Sequence, residues 1–209
     1  MELWEAIIGR RSVRQFSDEP IGREEIGEIL DAARWAPSAG NVQDWEIVVV
    51  QDEERKRKLA EACWEQMFIA DAPVVFVVFS NLNLLSRYRE RGIMMYSYQD
   101  TAAAIQNMLL VAYSLGIGSC WVGAFDDEEV SEIVGAPEHL RPVAVIPMGY
   151  PERIPEAPIR HDISDYSYVE EYGKKMEKEW KGFVEYCKGV HRRIREKLGN
   201  SILRDLEKY

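Results

Sequence analysis

The spacing of apolar and polar residues predicts alternating helices and strands. Apolar side chains recur every three or four positions over 23–36, as in an amphipathic helix, and Pro37 stops the pattern. The run 73–80 is continuously β-branched and aromatic, which is typical of a strand buried on both faces. The same reasoning predicts helices over 2–9, 53–69, 100–115 and 127–134, and strands over 45–50, 119–122 and 141–148.

The predicted helix 100–115 carries almost no charge and contains the run Ala102-Ala103-Ala104. A helix of this composition is buried on most sides. It is either the central core helix of a monomer or a helix at the core of a dimer, and small alanine side chains suit both arrangements.

Three further segments are less regular. Residues 81–98 mix leucine and tyrosine with arginine and glutamate, and we expect a mobile lid over a site there. The prolines of 151–158 predict an extended connector. In 166–209 apolar residues at three- and four-residue spacings predict a helix with one apolar stripe, packed on its own subunit or on a partner.

Composition narrows the function classes. The chain has 209 residues and a formal net charge of -10, and no basic stripe with interleaved aromatics, so we expect no nucleic-acid partner. No apolar run reaches the roughly 20 residues that span a bilayer, so we expect no membrane partner. The three scattered cysteines argue against a disulfide framework and favour a cytoplasmic protein.

Against this acidic background, Arg10-Arg11-Ser12-Val13-Arg14 places three cations and a hydroxyl within five residues. Guanidinium groups bind phosphate bidentately, so the segment is a candidate receptor for a phosphate and a polar ring edge. The alternative is a solvated basic turn in which arginine complements the dipole of the preceding helix.

The motifs R-R-S-V-R-x-F, A-P-S-A-G-N-V-Q-x-W, G-I-G-S-C-W-V-G and P-M-G-Y-P follow one another between about Leu3 and Arg160. In this order they resemble the nitroreductase family of FMN-dependent oxidoreductases. The resemblance implies an α+β fold with a central, mostly antiparallel sheet flanked by helices. We expect an FMN-binding domain over 1–160 and a C-terminal helical extension over 161–209, which wraps the partner subunit or packs on its own.

The resemblance also implies a homodimer with one FMN at each of two sites between the subunits, reduced by NADH or NADPH. The phosphate falls to arginines, although Pro158 stands where relatives often carry a lysine. The backbone N–H of Gly123 is expected near the flavin N5 and is the candidate catalytic group. The implied cofactor-binding residues are Arg10, Arg11, Ser12, Arg14, Pro37, Ser38, Asn41, Gln66, Cys120, Trp121, Val122, Gly123 and Arg160, with Pro37, Ser38 and Asn41 coming from the partner subunit.

Each assignment has a plainer alternative. Gly123 is otherwise a bulge glycine, Asn41 a turn residue, Gln66 a helix residue facing water and Cys120 a core side chain. Two departures from the family concern substrate preference: Asp44 replaces the usual proline after Gln43, and Val122 stands where some relatives hold an acid. The glycines at 116 and 118 follow a helix and precede a strand, which is the reverse of a dinucleotide-binding fingerprint.

The expected function is an oxidoreductase that moves hydride from NAD(P)H through flavin N5 to a small electron acceptor, such as a nitroaromatic or a quinone, by a ping-pong cycle. The three histidines are isolated and no metal or nucleophile motif occurs, so we expect no metal. A reductive dehalogenase of the same fold and a flavin carrier or sensor without turnover are the alternatives.

Overall fold

A computed structural model describes residues 2–198, without the side chains of residues 177, 184, 191 and 195–198. The chain divides into two compact units, residues 10–155 and a second unit that combines the segment before Arg10 with the segment after Pro155. The first unit has helices on both faces of an antiparallel sheet, so the predicted α+β class is confirmed. The assignment of 1–160 to FMN binding and of 161–209 to an extension stays a prediction.

The sheet has four strands in the order β1-β2-β4-β3, and all neighbours are antiparallel. Their bounds are β1 Trp45–Val50, β2 Val74–Asn81, β3 Gly118–Ser119 and β4 Leu140–Gly149. The predicted third strand, 119–122, is wrong in length. Cys120 donates its N–H to Pro147 O at 3.2 Å, but proline has no N–H to donate back, and pairing resumes only between Val122 and Val145.

Strand β2 is buried on both faces, as its continuous apolar run predicted. Val75, Val77 and Phe79 belong to the core cluster that includes residues of α3 (Glu53–Ala62) and α7 (Asp127–Val134). The alternate residues Val74, Phe76 and Val78 belong to a second cluster, which includes residues of α2 (Arg23–Arg34) and α6 (Ser97–Ser114). The hydrophobic driving force for folding of this unit is therefore concentrated on both sides of β2.

The remaining helices are α1 Leu3–Gly9, α4 Leu82–Leu85, α5 Arg89–Arg91, α8 Ile163–Tyr166, α9 Met176–Glu179 and α10 Phe183–Leu198. The predicted helix 53–69 is wrong beyond Ala62. Trp64 and Glu65 have φ of 57° and 59°, in the left-handed region, and a single 3₁₀ turn, Met67–Ile69, follows them. Asp126 N–H caps the helix end by donating to Ala62 O at 2.9 Å.

The segment 82–96 consists of short helical turns that run directly into α6. A 3₁₀ turn, Ser86–Tyr88, and a π-helical turn, Gly92–Tyr96, alternate with α4 and α5. Helix α6 therefore begins at Ser97, three positions before the predicted start. Only one face of α6 is buried within this unit, since Ala102, Ala103 and Leu110 stay half-buried.

In the second unit, the prediction of one apolar stripe on a single helix is wrong for the described residues. Helices α8, α9 and α10 are separate, and Gly173 and Gly182 between them have φ of 91° and 82°. The predicted residues 199–209 lie outside the described part of the chain. Packing of α10 on its own subunit or on a partner stays a prediction. Among residues 2–198, none of the helices has the length and apolar character of a membrane crossing.

Candidate functional site

Residues 10–14, the arginine segment, pair with strand β3 at the edge of the sheet. Val13 N–H donates to Ser119 O at 2.9 Å, and Ser12 pairs with Ser119 in parallel orientation. The Val13 side chain occupies the space where a Cβ on Gly118 would lie, with its Cγ2 at 2.8 Å from that position. Only glycine at position 118 allows this close approach, so the sheet edge fixes the arginine segment.

This pairing argues against the solvated basic turn. Arg11 is 8% exposed, whereas Arg14 is exposed and stacks over the Phe68 ring, with 5.6 Å between its guanidinium carbon and the ring centroid. One arginine of the segment is part of the packed structure. Another is presented at the surface, where it is available to an anion.

Arg10, Ser12 and Arg14 converge on Cys120. Burial raises the pKa of the Cys120 thiol, while the charge of Arg14, a hydrogen bond with Ser12 and the charge of Arg10 act in the opposite direction. Burial is the largest of these causes, so the thiol stays protonated and Cys120 is a core side chain rather than a nucleophile. Three of the four predicted cofactor residues of the arginine segment, Arg10, Ser12 and Arg14, therefore lie near Cys120.

Gly123 lies at the open end of that segment. Its φ is not in the left-handed region, and a Cβ built on it would meet only Trp121 Nε1, at 3.9 Å. Within the described part of the chain, the Gly123 N–H has no hydrogen-bond acceptor. Neither backbone strain nor packing against the described residues requires glycine here, which argues against the bulge alternative. A flat ligand against this backbone would require it.

Gln66 joins the turn after α3 to the same edge. Its Nε2 donates to Cys63 O at 2.8 Å and to Ala124 O at 3.3 Å, the carbonyl that follows Gly123. The alternative of a helix residue facing water is wrong, because position 66 lies outside α3 and its amide is engaged. Contact of Gln66 with a flavin stays a prediction.

The loop Ser38–Gln43 lies elsewhere. It leads into β1, whereas the arginine segment pairs beside β3, and these strands form opposite edges of the sheet. Gly40, Asn41 and Gln43 have φ of 55°, 57° and 51°, so Asn41 does adopt the turn conformation of its alternative. Within a single chain, Ser38 and Asn41 therefore do not lie at the sheet edge where the arginine segment pairs. Their assignment to the partner's site stays a prediction.

The groups that hold this loop were not predicted from the sequence. Ala39 N–H donates to Asp100 Oδ2 at 2.9 Å, and the Tyr88 hydroxyl donates to Ala39 O at 3.1 Å. A Cβ on Gly40 would collide with that hydroxyl, so glycine is required there by both its φ and its neighbour. The signal in the sequence was Asp100, an acid inside an otherwise apolar helix.

The predicted lid packs on this loop. Besides the Tyr88 contact, Arg87 Nη2 donates to Gly40 O at 3.4 Å. Pro37 is exposed beside the loop, and Arg160 is exposed in the second unit, so the role of Arg160 in phosphate binding stays a prediction. Among the residues whose side chains the structure describes, there is no group of three or more suited to hold a metal ion.

Comparison with known proteins identifies the chain. A family model described as the nitroreductase family matches residues 7–72 and 66–150. The chain belongs to the nitroreductase family. The resemblance expected from the arginine and P-S-A-G-N motifs is confirmed.

Related proteins align with most of the chain. A protein of Archaeoglobus fulgidus, provisionally assigned as an NADH dehydrogenase/NAD(P)H nitroreductase, is 38% identical over 72% of this chain and 86% of its own. The FMN reductase (NADPH) of Bacillus subtilis is 29% identical, with 76% and 72% covered. The solved structure of B. megaterium NfrA1 matches with a TM-score of 0.76 at 26% identity, covering 94% of this chain and 85% of that one.

We predict that Gly123→Val weakens FMN binding by about 1 to 3 kcal/mol, the usual cost of overpacking, while the apo-protein unfolds at nearly the wild-type temperature. The valine side chain enters the open space beside Gly123, and its backbone conformation is unstrained. Flavin titration and thermal unfolding of the same variant measure the two effects.

Gly116→Val is the matched control. Gly116 has φ of 79° and no atoms near its Cβ position, so valine there costs stability through backbone strain. The folded fraction of this control should bind FMN normally. A Gly123→Val protein that loses stability but keeps its flavin affinity would reject the flavin-contact interpretation of Gly123.

Proposed function

We propose that the chain is an FMN-dependent oxidoreductase that moves reducing equivalents from NADH or NADPH to a small acceptor, such as a nitroaromatic or a quinone. The cycle is ping-pong, so the nicotinamide leaves before the acceptor enters. The observation that carries the proposal is the open backbone at Gly123 beside the convergent cations Arg10 and Arg14.

The residues at this edge fit FMN. Two guanidinium groups suit a phosphate, because each is always charged and donates in a planar fork. The unoccupied N–H of Gly123 and the absence of a side chain there suit the edge of a flat ring. Ser119 Oγ is buried without a hydrogen-bond partner among the described residues, so the edge holds a further polar atom. The same groups do not fit a metal or a nucleophilic mechanism.

The chain's own residues bind and orient. Arg10 and Arg14 would hold the phosphate, together with Arg160 as the family resemblance implies, and Ser12 would donate to the ring system. Bound FMN supplies hydride transfer at N5, which side chains alone cannot perform. Val122, which stands where some relatives hold an acid, is 3% exposed and packs in the core, so it adds no charge at this edge.

The names of relatives support the reductant and the cofactor. The two relatives described above are named for NADH or NADPH, and one of them for FMN. An iodotyrosine deiodinase of Thermotoga neapolitana is also similar, at 26% identity over 72% of this chain, so dehalogenation is tested beside nitroreduction. The contacts of the 82–96 segment with residues 39 and 40 give no specific support for a halogenated substrate.

The test is spectroscopic and kinetic. The protein purified with FMN should be yellow, NADH or NADPH should bleach it without oxygen, and a quinone or nitroaromatic should restore the colour. Turnover of iodotyrosine without turnover of quinones would move the chain to the dehalogenase alternative. If neither NADH nor NADPH reduces the bound flavin, the protein is a flavin carrier or sensor without turnover.

A second prediction concerns the phosphate. Arg10→Ala should weaken FMN binding by about 1.5 to 3 kcal/mol, the scale of a lost charge-assisted hydrogen bond. Riboflavin, which lacks the phosphate, should bind the variant and the wild type equally. Arg23→Ala, an exposed arginine in the first turn of α2, is the control. Equal FMN affinity of Arg10→Ala and Arg23→Ala, measured by fluorescence quenching, would remove Arg10 from the site.

A third prediction is a homodimer whose association is linked to FMN. Met94, Met95 and Tyr98 are 62%, 39% and 47% exposed beside the half-covered face of α6. Such exposed apolar surface is typical of an interface. A ligand that binds only the assembled state stabilises it by mass action. Light scattering should therefore show FMN shifting the dimer to lower protein concentration, and a monomer with full FMN occupancy would contradict this.

A further inference from the structure

Two aspartates, Asp44 and Asp100, lie buried side by side at the foot of the Ser38–Gln43 loop. Asp44 is fully buried where the loop enters β1, and Asp100 is 6% exposed in the first turn of α6. Buried carboxyl groups without a cationic partner are rare, because the charged form is costly to desolvate. Burial of this pair is therefore costly unless one of the two carboxyl groups carries a proton.

The two oxygens of the Asp44 carboxyl have different surroundings. Oδ2 accepts a hydrogen bond from the Ser80 hydroxyl, whereas Oδ1 is buried with no donor among the described residues. The Asp100 carboxyl lies within hydrogen-bonding reach of Asp44. Ionised carboxylates only accept hydrogen bonds, so this contact becomes a hydrogen bond only when one of the two carries a proton.

The surroundings of Asp44 raise its pKa and so favour its protonated form. Burial is the largest cause that raises the pKa of Asp44, the Ser80 hydrogen bond lowers it, and the charge and hydrogen bonding of Asp100 raise it, to about 6 in all. None of the main causes that raise or lower this pKa is a cation. Below about pH 6 one proton is therefore held between two carboxyl groups.

The other charged groups nearby are engaged elsewhere. On the lid, Arg87 stacks over Tyr88 at 4.9 Å and donates to Gly40 O. On β4, Arg141 donates to Ile93 O and Ser97 Oγ. On β1, Glu46 accepts from the Asn81 side chain. None of these groups replaces the shared proton.

We propose that Asp44 and Asp100 share one proton and that the hydrogen bond between them positions the Ser38–Gln43 loop. Asp100 holds the start of the loop by accepting from Ala39 N–H at 2.9 Å. Asp44 holds its end, where the Asp44 carbonyl accepts from Asn81 N–H at 2.7 Å. The inference rests on the proposed function only in that Ser38 and Asn41 of this loop serve a flavin site.

The pH dependence follows from the direction of the shift. The folded state holds this proton more tightly than the unfolded chain, whose Asp44 has the ordinary pKa of 3.8. The contribution to stability is therefore complete below pH 3.8, and it is lost as the pH rises through about 6. Above that pH the two carboxylates repel each other, and the loop is no longer held by the hydrogen bond between Asp44 and Asp100.

Asp44→Asn tests the shared proton. Asparagine has the same shape, accepts from Ser80 and donates to Asp100 at every pH. The folding equilibrium constant of the apo wild type, relative to that of Asp44→Asn, should fall by up to about 100-fold between pH 4 and pH 7.5 in urea titrations. Asp71→Asn, at an exposed aspartate, should follow the wild type. A wild-type to Asp44→Asn ratio that does not change with pH would overturn the shared proton.

Loop positioning has separate readouts. At pH 8, hydrogen exchange of the Ala39 amide should be slower in Asp44→Asn than in the wild type, and Asp44→Asn should bind FMN about tenfold more tightly. Stability that titrates as expected while both readouts match the wild type would overturn the positioning role. Absence of FMN binding by wild type and variant at every pH would sink the proposed function instead, and the apo measurements would still decide the proton.

Discussion

The backbone pairing of Val13 with Ser119 is the contact on which the candidate site depends. It attaches the arginine segment to the outer edge of the sheet, and it is possible because Gly118 leaves room for the Val13 side chain. Without it, Arg10 and Arg14 would be solvated charges on an acidic protein. With it, they lie beside a backbone whose end at Gly123 is open to a ligand.

The sheet places the rest of the site in relation to that edge. Strand β2, buried on both faces, carries the core, while the Ser38–Gln43 loop and the arginine segment lie at opposite edges. A site that uses both requires a second copy of the chain. The proposed homodimer and the proposed flavin site are therefore one structural hypothesis. The buried carboxyl pair is proposed to position the Ser38–Gln43 loop, which is the partner's contribution to that site.

Much of this arrangement could be predicted from the sequence. The apolar runs give β1 and β2 almost to the residue, and the order of motifs gives the family. Errors arose where tertiary contacts override local pattern: helix 53–69 stops at Ala62 because residue 126 caps it, and the third strand is cut short by Pro147. The Asp44–Asp100 pair could not be found from spacing, since 56 positions separate two acids that only the fold brings together.

Hydrogen exchange with and without FMN shows whether the cofactor binds along the sheet edge where the arginine segment pairs. Residues 10–14 and 119–123 should exchange more slowly when FMN is bound, with the amide of Gly123 among the most protected. Saturating FMN that leaves both segments unchanged, while it protects another region of the chain, would place the flavin site elsewhere.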